Sequence, residues 1–240
     1  MRDPDGIVKC YELEAPEGII KIHDIPEYNL YDYDLSDEKS FKKYIQAVEK
    51  AVRTSYEYKA FVAYLREYMD MHQCAFYKNV NNLDTSKVRI EIHHEPFSLY
   101  DICLIVYNKR VAFNETLDEE MVAKEVMYLH YNLWVGLIPL AETVHQLVHA
   151  QYLFVPTTAV LGKYREFVSR YEPYMLPEQI GILEKIEEAS KFYDSDEAKT
   201  VLGKNYIYVD MSGAYDIPRK EDIVNMLKDR IKDIMDQKTS

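Results

Sequence analysis

The chain has 240 residues, 48% of them hydrophobic, which is enough for a globular core and excludes a disordered or fibrous protein. Its formal net charge is −12, from 41 acidic and 29 basic residues, the wrong sign for a protein that coats nucleic acid nonspecifically. Any contact with nucleic acid must therefore depend on a local site.

The three cysteines, Cys10, Cys74 and Cys103, are far apart and form no C-x-x-C pair. Neither a disulfide framework nor a structural zinc knuckle is indicated, so we expect a reduced protein in the cytoplasm. No apolar run approaches the roughly 20 residues that span a bilayer, and the first residues lack a signal-peptide pattern. The sequence predicts a protein that is neither membrane-embedded nor secreted by the usual route.

Two amphipathic helices are predicted near the N-terminus. The first begins after Ser36, a favourable N-cap residue followed by acidic residues, and carries apolar residues at helical spacing up to Val52. The second extends from Tyr56 to about Met71. Together they predict a helical hairpin within an N-terminal segment, residues 1–85.

Strand patterns follow the hairpin. A short strand is predicted at 75–80, and apolar and polar residues then alternate strictly from Val88 to the pair His93 and His94. Adjacent side chains of a strand point to opposite faces, so this strand would direct its two imidazoles to different sides.

Helices are predicted over most of the remaining chain, interrupted by a short extended piece at 137–140. The predicted helices are 98–113, 118–134, 142–150, 160–174, 177–194 and 219–236. The last has a narrow apolar stripe, which either closes the core or forms a homodimer contact. The fold class expected is α+β and mostly helical, with a central domain at 86–175 and a C-terminal helical extension at 176–240.

Four of the seven histidines fall into two tight groups, His93-His94 and His145-x-x-x-His149. Positions i and i+4 of a helix lie on one face about 5–6 Å apart, so two imidazoles there can share one metal ion. One member of the strand pair can join them while its neighbour faces a substrate. The other histidines, His23, His72 and His130, are interpreted as packed residues, with His130 a weak candidate for a substrate contact.

These motifs resemble the two halves of the HNH nuclease motif. Residues 136–149, Gly-Leu-Ile-Pro-Leu followed by H-x-x-x-H, are similar to its C-terminal half, and residues 89–96, with the His-His pair, are similar to its first half. The two helices predicted between the halves make this gap longer than in minimal family members. The resemblance implies a small ββα-metal centre flanked by N-terminal and C-terminal helices, and it suggests a phage-encoded chain that acts in the host cytoplasm.

The resemblance also implies residue roles. His93, His145 and His149 would hold one divalent metal ion (Mg, Mn, Zn or Ni), and His94 would be the general base that takes a proton from the attacking water. The implied activity is an HNH-type endonuclease that hydrolyses nucleic-acid phosphodiester bonds, in DNA more than in RNA. A neutral imidazole suits proton abstraction near pH 7, and a divalent cation neutralises charge that builds up on phosphate.

One departure favours an alternative. Gly136 stands where the family has its central asparagine, nine residues before His145. Asn132 could substitute only if the backbone bends there. The alternative is a catalytically degenerate HNH-fold protein that acts as a DNA-binding, structural or partner-binding protein, and the acidic net charge also favours it.

A zinc metalloprotease is a weaker alternative at the same helix. Gln146 stands where the H-E-x-x-H motif has its glutamate base, and an amide cannot accept the proton.

Residues 86–175 carry eight basic and eleven acidic residues, so most of the excess acid lies outside this segment. Lys163, Arg165 and Arg170 are candidates for phosphate contacts, although a solvated helix face is the better explanation for each one alone.

Overall fold

The computed structural model describes residues 33–77, 80–82, 88–193 and 225. As predicted, the fold is α+β and mostly helical: the described residues form seven α-helices and one two-stranded antiparallel sheet. In chain order the elements are α1 (Glu38–Thr54), α2 (Tyr56–Tyr68), β1 (Ile90–His94), α3 (Leu99–Ala112), α4 (Glu119–Tyr131), β2 (Leu137–Ala141), α5 (Glu142–His149), α6 (Tyr164–Tyr171) and α7 (Pro177–Tyr193). No helix of the described part combines the length and the apolar character needed to cross a membrane.

The N-terminal hairpin forms as predicted, with one change at its start. Asp37, rather than Ser36, caps α1 by accepting a hydrogen bond from the Ser40 amide at 2.7 Å. Ser55 ends α1 and also caps α2, because its hydroxyl accepts a hydrogen bond from the Tyr58 amide at 3.1 Å. A single residue therefore joins the two helices, and its side chain satisfies one of the amides that a first helical turn leaves unpaired.

The strand predicted at 75–80 is absent from the residues of this range that the structure describes, 75–77 and 80. The Cys74 amide bonds the Val80 carbonyl at 2.8 Å, and the Ala75 amide bonds the Pro139 carbonyl at 2.8 Å. These bonds hold a turn against β2, so the backbone groups that a strand would offer to a neighbour are already used. The predicted helix at 219–236, apart from Asn225, and also His23 and Cys10 lie outside the described residues.

The two strands pair across a long insertion. β1 and β2 are antiparallel in a register that places His93 opposite Ile138 and His94 opposite Leu137. Helices α3 and α4 occupy the chain between them, and α5 follows β2 without an intervening residue. β1, β2 and α5 thus form a ββα unit whose two halves are distant in sequence.

One hydrophobic cluster draws on all three predicted segments and includes, for example, Val48, Ile105 and Leu183. Helix α1 packs against α2, α3 and α4, and α5 packs against both strands. The hairpin also reaches the sheet directly, since the Arg66 guanidinium donates a hydrogen bond to the Ile90 carbonyl at 2.9 Å. The N-terminal hairpin therefore forms one wall beside the ββα unit.

A buried charge network joins α3, α4 and α6. Lys109 and Arg110 are almost completely buried, with Lys109 Nζ 2.7 Å from a Glu115 oxygen and Arg110 Nη1 3.2 Å from a Glu125 oxygen. The Tyr171 hydroxyl donates to the other Glu125 oxygen at 2.8 Å. Buried charges are tolerated when each is paired and hydrogen-bonded. Glu125, on α4, contacts Arg110 of α3 and Tyr171 of α6, and it therefore links the three helices.

We expect Glu125→Ala to lower the free energy of unfolding by about 3–5 kcal/mol, because it removes the buried carboxyl group that Arg110 and Tyr171 both contact, although Glu115 still pairs with the two cations. Urea titration followed by circular dichroism measures this change. Glu120→Ala is the matched control on the same helix: its ion pair with Lys124 is partly exposed and is worth about 0–1 kcal/mol. Equal losses in the two variants would contradict a structural role for the buried network.

Candidate metal centre

Three predicted metal ligands converge in the structure. His93, at the end of β1, packs its ring 5.0 Å from the His145 ring and 5.1 Å from the His149 ring, centroid to centroid. His145 and His149 lie one helical turn apart on α5, and their Nε2 atoms are 3.1 Å apart. One potential ligand atom from each of the three lies within 4.8 Å of the others.

This spacing fits a single divalent metal ion. Two imidazole nitrogens that bind one tetrahedral metal at about 2.0–2.1 Å lie about 3.3 Å from each other. Three protein ligands leave one position for water or substrate, which is the arrangement of catalytic rather than structural zinc sites. Among the described residues this is also the only group of three or more His, Cys, Asp or Glu side chains close enough to share an ion.

Two carboxylates orient the imidazoles. Glu91 lies 2.7 Å from His145 Nδ1, so that nitrogen donates and Nε2 keeps its lone pair for a metal. Glu95 lies 3.3 Å from His93 Nε2. Burial, with a smaller contribution from His93, lowers the pKa of His145 to about 4 even though Glu91 opposes the shift. A neutral imidazole is the form that binds metal.

The predicted base, His94, points away from this cluster into the protein. It is 4% exposed, its Nε2 lies 2.9 Å from His130 Nε2, and its ring stacks on Tyr58 at 6.3 Å between centroids. Burial, followed by the neighbouring His130, holds the pKa of His94 well below its usual range. His94 is therefore neutral at pH 7, the protonation state that a general base requires.

A cleft of about 400 Å³ connects His94 with the metal cluster. Both His93 and His94 line it, together with His145 and His149. Its other walls carry three arginines, Arg53 from α1, Arg66 from α2 and Arg89 beside β1. Sequence reasoning missed Arg53 and Arg66, because they belong to the N-terminal hairpin and reach the cleft only through tertiary packing.

The structure gives a steric reason for a glycine at position 136, which the sequence motif alone did not reveal. A Cβ atom on Gly136 would lie 1.8 Å from the Glu95 carbonyl oxygen and 2.7 Å from Val160 Cγ1. The Gly136 carbonyl in turn accepts a hydrogen bond from the Glu95 amide at 3.0 Å. The chain after β1 thus occupies the space that an asparagine side chain would need, and the backbone bond braces this junction.

Several residues suggested by the sequence lie elsewhere. Arg165 is 3.6 Å from Glu187, and Arg170 stacks over the Trp134 ring at 4.4 Å. Asn132 ends α4, where its amide donates to the Tyr128 carbonyl at 2.7 Å. These three side chains and Lys163 do not line the described cleft.

The fold and site thus define a ββα unit with a histidine cluster suited to one divalent ion. The family profile described as Bacteriophage G278-like virion protein matches residues 14–213, and the chain belongs to this family. It is therefore of bacteriophage origin. No curated protein and no solved structure matches the chain.

We expect Gly136→Ala to displace the β1–β2 junction and to weaken metal binding at least tenfold, because a methyl group there overlaps the Glu95 backbone. Thermal unfolding and calorimetric titration with Zn²⁺ measure the two effects. Gly181→Ala is the control, since beyond its chain neighbours and the backbone of its own helix nothing lies within 4 Å of its Cβ position on α7. There alanine should raise stability by about 0.5–1 kcal/mol through helix propensity.

We expect His149→Ala to reduce the affinity for Zn²⁺ or Ni²⁺ by at least tenfold without unfolding the protein, because His149 is exposed at the end of α5. His72→Ala, whose imidazole contacts Asp70 outside the cluster, should leave the affinity unchanged. Metal binding that survives in both variants would place the ion somewhere other than this cluster.

Proposed function

We propose that the cleft is the active site of a divalent-metal-dependent nuclease of HNH type, with the metal on His93, His145 and His149 and His94 as general base. The observation that carries the proposal is the convergence of four histidines and three arginines on one cleft. The ββα order of β1, β2 and α5 agrees with the HNH resemblance of residues 89–149.

The protein's own groups have separable roles in this proposal. His94 receives the proton of the attacking water, for which its neutral state is suited. The arginines bind phosphate oxygens, and Arg66 is already positioned by its bond to the Ile90 carbonyl. A bound divalent ion would supply charge neutralisation at the phosphate.

The arginines also answer the objection from net charge. A chain with a net charge of −12 repels nucleic acid overall. Arg53, Arg66 and Arg89 place three guanidinium groups beside the histidines; Arg53 is paired with Glu49 at 2.9 Å, and Arg89 lies 3.7 Å from Glu91, the one acidic side chain of the described cleft lining. We therefore expect weak, salt-sensitive binding confined to this cleft.

A second candidate is a virion component that holds the same metal without catalysis. Family membership favours it, and so does the 4% exposure of His94, which limits access to the proposed base. In this case protein partners in the phage particle, rather than nucleic acid, would contact the chain. Family membership also favours the phage particle over the free host cytoplasm as its location.

The two candidates differ in a plasmid assay. We expect the purified full-length protein to bind one divalent ion per chain and to nick supercoiled DNA with at least one of Mg²⁺, Mn²⁺, Ni²⁺ and Zn²⁺. His94→Ala should lower the nicking rate by about 10²–10⁴-fold and keep the metal, because it removes only the base. His145→Ala should lose both metal and activity, whereas His72→Ala should retain both.

Absence of cleavage with every metal, on single-stranded, double-stranded and branched substrates, would exclude the nuclease if metal binding is intact. Retained metal in that experiment would support the noncatalytic virion component. Undiminished cleavage by His94→Ala would instead leave a nuclease whose base is another residue.

A further inference from the structure

We propose that His130 is a positioning residue: it accepts a hydrogen bond from His94 Nε2–H and so leaves Nδ1 of His94 as the nitrogen that carries the free lone pair. The catalytic meaning of this arrangement rests on the proposed nuclease function. The tautomer itself is a property of the folded protein and can be measured without any activity.

The hydrogen positions follow from a chain of three groups. His130 Nδ1 lies 2.7 Å from the Val126 carbonyl oxygen, one turn earlier on α4. A carbonyl can only accept, so His130 Nδ1 carries a proton. The Nε2 atom of a neutral His130 is then an acceptor, and the proton between the two Nε2 atoms, 2.9 Å apart, belongs to His94.

The reverse arrangement is unfavourable. If His130 donated through Nε2 as well as Nδ1, it would be an imidazolium in a site where its ring is 0% exposed. Burial instead lowers the pKa of His130 to about 4, so the ring is neutral near pH 7. The direction of the bond from His94 to His130 is therefore set by the Val126 carbonyl.

Aromatic packing holds the two rings in this relation. The His130 ring meets the edges of Tyr58 and Phe61 at centroid distances of 5.6 and 5.5 Å, with interplanar angles of 83° and 86°. The His94 ring lines the cleft, contacts the His130 ring at 5.2 Å between centroids and is nearly parallel to Tyr58, at 15°. Helices α2 and α4 thus fix which nitrogen of a β1 residue remains available.

The functional consequence of this hydrogen bond is that Nδ1 of His94 remains available to accept a proton. His94 lines the cleft, and its Nε2 is occupied by His130. A proton acceptor for water in the cleft must then be Nδ1. If the acceptor at His130 is removed, the Nε2–H group is left as a buried donor without a partner, and the Nδ1–H tautomer, whose Nδ1 has no lone pair to accept a proton, becomes competitive.

The test is imidazole ¹⁵N spectroscopy on uniformly labelled full-length protein near pH 7.5, in metal-free and Zn²⁺-loaded forms, with His94→Gln used to assign the signals. We expect His94 as the Nε2–H tautomer and His130 as the Nδ1–H tautomer. His130→Gln, whose amide oxygen can still accept, should keep His94 as Nε2–H. His130→Phe, a ring of similar shape without an acceptor, should shift His94 towards Nδ1–H.

Finding His94 of the wild-type protein in the Nδ1–H form would overturn the proposal. The wild-type spectrum therefore tests the proposal even if the His130→Phe variant does not fold. An unchanged His94 tautomer in a folded His130→Phe variant would overturn it as well. Activity gives a separate readout: His130→Phe should lower kcat by about 10²-fold or more, with KM and zinc affinity unchanged, and His130→Gln should recover most of it. If the predicted tautomers are found but no metal supports cleavage, only the nuclease function fails.

Discussion

The pairing of β1 with β2 is the constraint on which the site depends. Its register sets His93 and His94 on opposite faces, so that one imidazole meets α5 and the other enters the core. The close backbone approach of Glu95 and Gly136 completes this pairing just beyond the strand end. A shift of one residue in register would exchange the two histidines and leave neither in its place.

Local signals explain why much of the fold was predictable. Helices α3 and α4 begin where the sequence indicated, since Ser98 and Asp101 form a capping box and Asp118 caps the next helix. The H-x-x-x-H spacing likewise predicted that His145 and His149 share a face of α5. The prediction of a strand at 75–80 was wrong. The conformation of a segment this short depends on the hydrogen bonds available from its neighbours, and here the Ala75 amide bonds to the Pro139 carbonyl of β2 from within a turn.

The walls of the cleft could not be predicted, because tertiary packing brings them there from distant parts of the chain. Arg53, Arg66 and Tyr58 belong to the N-terminal hairpin and His130 to the inserted α4, yet all of them surround residues of β1. The spacing of these residues in the sequence does not indicate that they lie next to one another in the fold. His130 was interpreted as a packed core residue, which its burial confirms, but its contact with His94 depends on how α4 packs in the fold, which the sequence does not show.

The insertion of α3 and α4 between the strands has a thermodynamic consequence. An ion shared by His93 and His149 would close a loop that contains both of these helices and β2. Such a clip removes conformational entropy from the unfolded chain, and the benefit grows, although slowly, with the length of chain enclosed. Metal affinity and the stability of the inserted helices would then be two measures of one equilibrium.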